Sequence, residues 1–397
     1  MEKIVVQNLF KIFGDHPEKA LKMLEQGAGK DEIMEKLGNP VGVADVSFDV
    51  KEGEIVVVMG LSGSGKSTLV RCINRLFEPT AGKIIVDGTD VIGLDQDELM
   101  RFRRAKFGMV FQNFALFPHR RVVNNVEFGL EVQKEDPDKM RKKAMEALEM
   151  VGLKGWEESF PQELSGGMQQ RVGLARAIAL DPDILLMDEA FSALDPLIRR
   201  DMQDELLKLQ EAMHKTIVFI SHDLDEALKL GDRIVLMKDG AVVQIGTSEE
   251  ILTTPATEYV AKFVEEVDIT KVLTAESVMK KTEAVANLKT DGPRASLRKM
   301  KKNAISSLFV VDEEHKLVGV ITADDAAELA KTESRDLREI MKTDITTVSP
   351  DTPATELFPI LHGISYPLVV ADEENRLLGV IVRGQLIGAV AERGGNE

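Results

Sequence analysis

Four short, unbroken apolar and β-branched runs, at residues 55–59, 184–187, 216–220 and 234–237, are separated by longer stretches with helical spacing. Runs this short with no alternation predict strands buried on both faces of a largely parallel sheet, hence an α/β core. Between Gly14 and Pro40 two amphipathic stretches, around Ala20-Leu21-Met23-Leu24 and Ile33-Met34-Leu37, predict an inserted helical hairpin. Beyond residues 265–274 the pattern changes to a repeat. Phe309-Val310-Val311-Asp312-Glu313-Glu314-His315-Lys316-Leu317-Val318-Gly319-Val320-Ile321 returns as Val369-Val370-Ala371-Asp372-Glu373-Glu374-Asn375-Arg376-Leu377-Leu378-Gly379-Val380-Ile381. Each copy predicts a β-hairpin with an acidic turn. A helix-like stretch and a Met-Lys pair precede each copy, Met279-Lys280 and Met341-Lys342. A unit of this size struggles to bury its own apolar face, so two copies suggest a pseudo-twofold module.

Length and composition sharpen this picture. A chain of 397 residues predicts two or three domains, and 44% hydrophobic with 29% charged residues excludes wholesale disorder. No window approaches an apolar membrane span and no signal-type apolar stretch opens the chain, so a cytoplasmic location is expected. The single cysteine, Cys72, rules out an internal disulfide and predicts a small buried helical residue. The net charge of −17, carried mostly by the first 267 residues, argues against nucleic acid as a partner. Membrane association is therefore expected through a protein partner.

The strongest chemical signal is Gly60-Leu61-Ser62-Gly63-Ser64-Gly65-Lys66-Ser67-Thr68, which fits G-x-x-x-x-G-K-[ST] between a predicted strand and a predicted helix. Glycines let backbone N–H groups turn toward phosphate oxygens, and the helix start adds partial positive charge. Lys66 is expected at the β- and γ-phosphates, and Ser67 on Mg²⁺. A second element, Asp188-Glu189, places two carboxylates at the end of a buried strand. Asp188 suits a metal ligand, and Glu189 suits orienting or deprotonating a water.

Between these two lies Leu164-Ser165-Gly166-Gly167-Met168-Gln169-Gln170-Arg171, and with it the chain resembles the ATP-binding cassette (ABC) family. The resemblance implies a P-loop fold with a mostly parallel core sheet plus antiparallel β and helical subdomains. It also implies ATP and Mg²⁺ as ligands, and a head-to-tail dimer in which Ser165, Gly166 and Gly167 of one copy meet the nucleotide of the other. Further motifs follow in family order. Gln112 matches the glutamine that senses metal and attacking water, Ser192-Ala193-Leu194-Asp195 matches the D-loop, and His222 matches the switch histidine. Phe13 is the candidate for stacking on adenine, although residues 14–40 separate it from the P-loop.

Segments around Arg71-Cys72-Ile73-Asn74, residues 111–120 and residues 188–196 resemble the ATPases of glycine betaine/proline importers. That subfamily also carries an insertion before the P-loop and a C-terminal pair of CBS domains, to which the repeat is similar. Expected boundaries are 1–267 for the cassette, with its helical subdomain near 114–160, then 274–331 and 337–393 for the two α+β CBS units. The resemblance implies transmembrane permease subunits as partners, with a substrate-binding protein acting indirectly. Residues from Phe114 to Trp156 are expected to face the permease. In the repeat, Thr322 and Asp325 are candidates for ribose contacts, and cyclic di-AMP or another adenine nucleotide is a candidate ligand. The second copy reads Val382-Arg383-Gly384-Gln385 and lacks both groups. A basic cluster, Arg294, Arg298, Lys299, Lys301 and Lys302, is a candidate for anionic lipid headgroups. The tail at 392–397 is too weakly charged for an acidic regulatory segment.

Overall fold

A computed structural model describes residues 1–265, 267, 272–282, 284–364, 366–384, 386 and 388. The expected domain end at residue 393 and the tail at 392–397 lie outside the described residues. The chain divides into two compact units, Met1–Val264 and Glu265–Glu397.

The first unit opens with β1 (Glu2–Ile12), the helices α1 (Pro17–Glu25) and α2 (Lys30–Leu37), and β2 (Val41–Lys51). The two helices are the expected hairpin. Phe13 N–H donates to Pro40 O at 2.9 Å, so the hairpin leaves and rejoins the chain at neighbouring points. It has its own small core of Ile12, Ala20 and Ile33. Next come β3 (Ile55–Met59), α3 (Lys66–Ile73), β4 (Ala81–Val86), β5 (Thr89–Asp90), α4 (Gln96–Lys106) and β6 (Phe107–Phe111). A helical region follows, α5 (Val122–Val132), α6 (Pro137–Met150) and α7 (Gly166–Ile178), and leads into β7 (Ile184–Asp188). The unit closes with α8 (Pro196–Met213), β8 (Thr216–Ser221), α9 (Leu224–Leu230), β9 (Arg233–Lys238), β10 (Ala241–Gly246), α10 (Ser248–Thr253) and α11 (Glu258–Val264).

All four apolar runs are strands of one six-stranded sheet, ordered β10-β9-β3-β8-β7-β6. Its pairs are parallel except the antiparallel edge β9–β10. Every residue of β3, β7 and β8 is buried, which is why these strands show no polar alternation. A second, antiparallel sheet, β2-β1-β4-β5, packs apolar side chains such as Ile4, Val6 and Val50 with Leu69, Val70 and Ile73 of α3. Cys72 lies in that core, where burial pushes its thiol up to about 12. The observed architecture is the mostly parallel core sheet that the apolar runs predict, with the antiparallel and helical subdomains that the family resemblance implies.

The second unit contains two matching three-stranded sheets. The first is built from α12 (Ala275–Val278), β11 (Val285–Asn287), α13 (Pro293–Asn303), β12 (Ser307–Val311), β13 (Leu317–Thr322) and α14 (Ala323–Leu329). The second is built from β14 (Thr347–Val348), α15 (Ala354–Gly363), β15 (Leu368–Ala371) and β16 (Leu377–Ile381). Both repeated segments form the antiparallel hairpins expected, β12–β13 and β15–β16. The Met-Lys pairs cross between copies. Lys280 bridges Val380 and Lys342 bridges Val320, each antiparallel. A Cβ on Gly379 would lie 2.7 Å from Met279 Sδ, and one on Gly319 would lie 2.1 Å from Met341 Cγ, so each glycine seats the other segment's methionine. The acidic turns also pair reciprocally, Leu317 N–H to Asn375 O and Leu377 N–H to His315 O. His315 and Asn375 occupy equivalent left-handed positions, at φ 65° and 61°.

Candidate active site

Strand β3 ends at Met59, and the chain then turns through Gly60, Gly63 and Gly65 at φ 146°, 80° and 98°. A Cβ on Gly60 would sit 2.2 Å from Met237 O, and one on Gly65 would sit 2.2 Å from Gly42 O, so the turn accepts no side chain at either point. Leu61, Ser62 and Gly63 form the exposed tip, and Ser64 is buried beneath it. Helix α3 starts at Lys66 with no side-chain cap, which leaves its first N–H groups open to an anion. Lys66 is only 5% exposed, and its ammonium donates to Gly60 O at 2.8 Å and Leu61 O at 3.1 Å. Burial lowers its pKa below the ordinary lysine value, against the opposing pull of the Glu189 and Asp188 carboxylates.

Three adjacent parallel strands deliver the remaining groups from their C-terminal ends, where such sheets place their chemistry. Asp188 ends β7 and is 6% exposed. Its Oδ1 accepts from Ser67 Oγ at 2.8 Å and its Oδ2 from the Arg71 guanidinium at 3.2 Å. Glu189 follows at φ 48°, a left-handed conformation uncommon for a side chain of this size. One oxygen of its carboxylate, Oε2, lies 3.3 Å from Gln112 Nε2, just past β6, and 3.4 Å from His222 Nδ1, just past β8. Lys66, Ser67, Asp188, Glu189, Gln112 and His222 therefore form one cluster. Among the described residues no group of three or more His, Cys, Asp or Glu gathers as a metal cage. The Ser67 hydroxyl and the Asp188 carboxylate fit Mg²⁺ as a two-ligand oxygen set whose shell nucleotide phosphates and water would complete.

Phe13 joins this region despite the insertion. A Cβ on Gly42 would lie 2.9 Å from both Phe13 Cε2 and Thr68 Cγ2, which places the ring beside the start of α3. The ring is half-buried, meets Phe77 edge-on at 5.5 Å and carries the Lys11 ammonium at 4.9 Å.

The signature segment makes its own local contacts. Ser165 caps α7, its Oγ accepting from Met168 N–H at 3.4 Å. A Cβ on Gly167 would lie 2.5 Å from Ile198 Cγ2, so this glycine lets α7 close against α8, while Gly166 faces Leu194 and Phe114 at ordinary contact distance. Asp195 caps α8 through Ile198 N–H at 3.1 Å. Among the described residues, no hydrogen bond joins Ser165, Gly166, Gly167 or Asp195 to residues 60–68. Two arginines escaped the sequence reading. Arg71 holds Asp188 from one turn beyond Ser67. Arg176 of α7 donates to Phe114 O at 3.0 Å and Ala115 O at 2.5 Å, fixing two left-handed residues after Gln112. The Ser67 to Arg71 spacing was a readable signal; the Arg176 contact spans 62 positions and left none.

Residues 43–192 match the ABC transporter family, and residues 275–331 and 337–392 match the CBS domain. The glycine betaine transport ATP-binding protein OpuAA of Bacillus subtilis is 56% identical over 100% of this chain and 93% of its own length. The chain belongs to the ABC transporter family. The glycine betaine/proline betaine transport system ATP-binding protein ProV of Escherichia coli is 47% identical over 99% of both chains. Among solved structures, the dimeric ATP-binding cassette MJ0796, in a post-hydrolysis state bound to ADP and Pi, is 34% identical. It covers 62% of this chain and 98% of its own, with a TM-score of 0.52. As an ABC ATPase the chain uses ATP with Mg²⁺.

In the CBS pair the candidate contacts are engaged locally. Thr322 Oγ1 donates to Asp325 Oδ2 at 2.7 Å and accepts from Asp325 N–H at 3.2 Å, capping α14. Arg383, in the equivalent segment of the second copy, donates to Leu361 O and His362 O in the last turn of α15. The basic cluster is not one free surface. Arg294, Arg298, Lys301 and Lys302 are exposed, but Lys299 is half-buried and bonded to Asp291 at 2.7 Å and to Val285 O at 2.9 Å. The expected permease-facing aromatics divide as well. Phe114 and Leu116 pack against the main core, whereas Phe117 meets Phe128 at a tilt, 4.6 Å between ring centres, under Arg120.

Proposed function

We propose that this chain is the ATP-hydrolysing subunit of an importer for glycine betaine, proline betaine or a related osmoprotectant. The observation that carries the substrate class is the 56% identity to a glycine betaine transport ATP-binding protein along the whole chain. Gly60 to Thr68 hold the nucleotide, with Lys66 neutralising charge on the β- and γ-phosphates and Phe13 stacking on adenine. Mg²⁺, held by Ser67 and Asp188 with Gln112 beside them, supplies charge neutralisation at the phosphates. Glu189 takes a proton from water as the water oxygen bonds to the γ-phosphorus. The bond to the bridging oxygen breaks, and ADP leaves with its electrons while His222 holds the departing phosphoryl group.

Ser165, Gly166, Gly167 and Asp195, which make no hydrogen bond to the P-loop of their own chain among the described residues, serve the second copy in a head-to-tail dimer. ATP-driven closure of that dimer turns the permease outward to receive substrate, and hydrolysis reopens it. No helix among the described residues is long and apolar enough to cross a membrane. The likeness to transport ATP-binding proteins supports a peripheral place on the cytoplasmic side, acting through permease subunits fed by a substrate-binding protein. The CBS pair regulates. Neither copy keeps an unengaged Thr–Asp pair, so a symmetric ligand such as cyclic di-AMP suits a dimer of modules better than one nucleotide per copy. The exposed Arg294, Arg298, Lys301 and Lys302 suit anionic lipid headgroups, an attraction that salt weakens.

The test is uptake of labelled glycine betaine by cells lacking only this chain, with and without a hyperosmotic shift. The reading requires loss of shift-stimulated uptake that wild type restores and Glu189→Gln does not. Unchanged uptake in the deletion, with redundant importers removed, would overturn the substrate assignment.

A further inference from the structure

His222 and the D-loop are separate motifs in the sequence, yet one helix holds both the D-loop and the residues flanking the histidine. Helix α8 begins at the D-loop residue Asp195 and presents Arg199 and Gln203, one turn apart and so on one face. The Arg199 guanidinium, 24% exposed, donates to Asp223 Oδ2 at 3.1 Å, immediately after His222. The same group donates to Ser192 O at 3.4 Å and Leu194 O at 3.2 Å, within the D-loop. Gln203 adds a second attachment. Its amide donates to Glu226 Oε1 at 3.1 Å, and Glu226 Oε2 accepts from Ser221 Oγ at 2.5 Å, immediately before His222. Gln203, Glu226 and Ser221 are all buried. The residues flanking the histidine are thus fixed to one face of α8, while the histidine itself is 54% exposed.

Resting on the ATPase reading above, we propose that Arg199 is a positioning residue that fixes His222 relative to the D-loop of the same subunit. Movement of the D-loop by the opposing copy would then reset the imidazole before hydrolysis. The guanidinium's planar fork suits this role, because it engages the Asp223 carboxylate and the two D-loop carbonyls at once. A lysine ammonium reaches one side or the other.

The test uses the full chain assembled with its permease, measuring steady-state ATP hydrolysis and thermal unfolding together. Arg199→Lys is expected to unfold near the wild-type temperature yet to lower kcat about tenfold, the scale of one charge-assisted hydrogen bond. KM for ATP should move less than about threefold, since no nucleotide contact is lost. In a His222→Ala background the Arg199→Lys change should cost no further activity, because residues that act through one another are non-additive. Wild-type kcat in Arg199→Lys, or an undiminished further loss in the His222→Ala background, would overturn the proposal. Glu189→Gln run in parallel separates the two readings. If it hydrolyses ATP at the wild-type rate, the ATPase site assignment itself fails.

Discussion

The cassette and the CBS pair each carry polar residues that a motif reading singles out, but the two units use them differently. In the cassette, Glu189, Gln112 and His222 stand at the ends of three neighbouring strands and converge on one carboxylate oxygen. In the CBS pair, Thr322 and Asp325 close on each other to cap a helix, and Arg383 caps another. A side chain placed at the end of a buried parallel strand has few local backbone partners and stays available to a ligand. A Thr or Asp at a helix start has its own N–H groups to satisfy first. Motif matches therefore transfer to chemistry more readily in the first setting than in the second.

Substitutions at glycine sharpen this contrast most. Gly65→Ala puts a methyl group 2.2 Å from Gly42 O at φ 98°, so nucleotide affinity measured by equilibrium titration should fall by about a hundredfold or more. Gly319→Val drives into Met341 in the CBS pair and should cost about 1–3 kcal/mol of stability in denaturant unfolding, with nucleotide affinity of the cassette unaffected. Thr322→Ala removes a helix cap and should cost about 1 kcal/mol. If it instead abolished regulation without a stability loss, the local-cap account of Thr322 would be wrong.

The smallest expected effect lies in an ionic network of the cassette. Lys106 bonds Asp183 at 2.6 Å and Asp87 at 2.7 Å, and Lys3 reaches Asp87 at 2.8 Å. The Lys106 hydrogen bond holds Asp183 below the ordinary carboxylate pKa. Burial alone would raise Asp87, but its bonds from Lys106 and Lys3 outweigh this and hold it low as well. A depressed folded pKa stabilises above the unfolded value near ~3.9 and loses that contribution as pH falls through the folded one. Asp183→Asn should therefore cost less than about 1 kcal/mol near neutral pH, since the side chain is 39% exposed, and the difference should vanish in acid.

Much of the cassette was legible because its signals are local and chemically constrained. The buried strands show as unbroken apolar runs, and the P-loop needs glycine where a Cβ would strike Met237 O or Gly42 O. The hairpin at 14–40 was legible from its amphipathic spacing. Its harmlessness to the position of Phe13 was not, because that depends on Phe13 and Pro40 meeting in space. Arg176 and Arg199 were invisible for a similar reason. Their partners are backbone carbonyls or carboxylates set by tertiary packing, and an arginine on a helix face looks the same whether solvated or bonded. The basic cluster erred in the opposite direction. Five nearby charges read as one surface, but Lys299 turns inward to Asp291.

In the proposed mechanism the Glu189 carboxylate drives hydrolysis of a nucleotide that the P-loop has already bound. The direct measurement is ATP turnover and retained nucleotide in Glu189→Gln of the full chain with its permease. Hydrolysis should slow at least about a hundredfold, the scale of a lost general base, with ATP held in a stable dimer. Wild-type turnover, or loss of ATP binding together with loss of turnover, would contradict it.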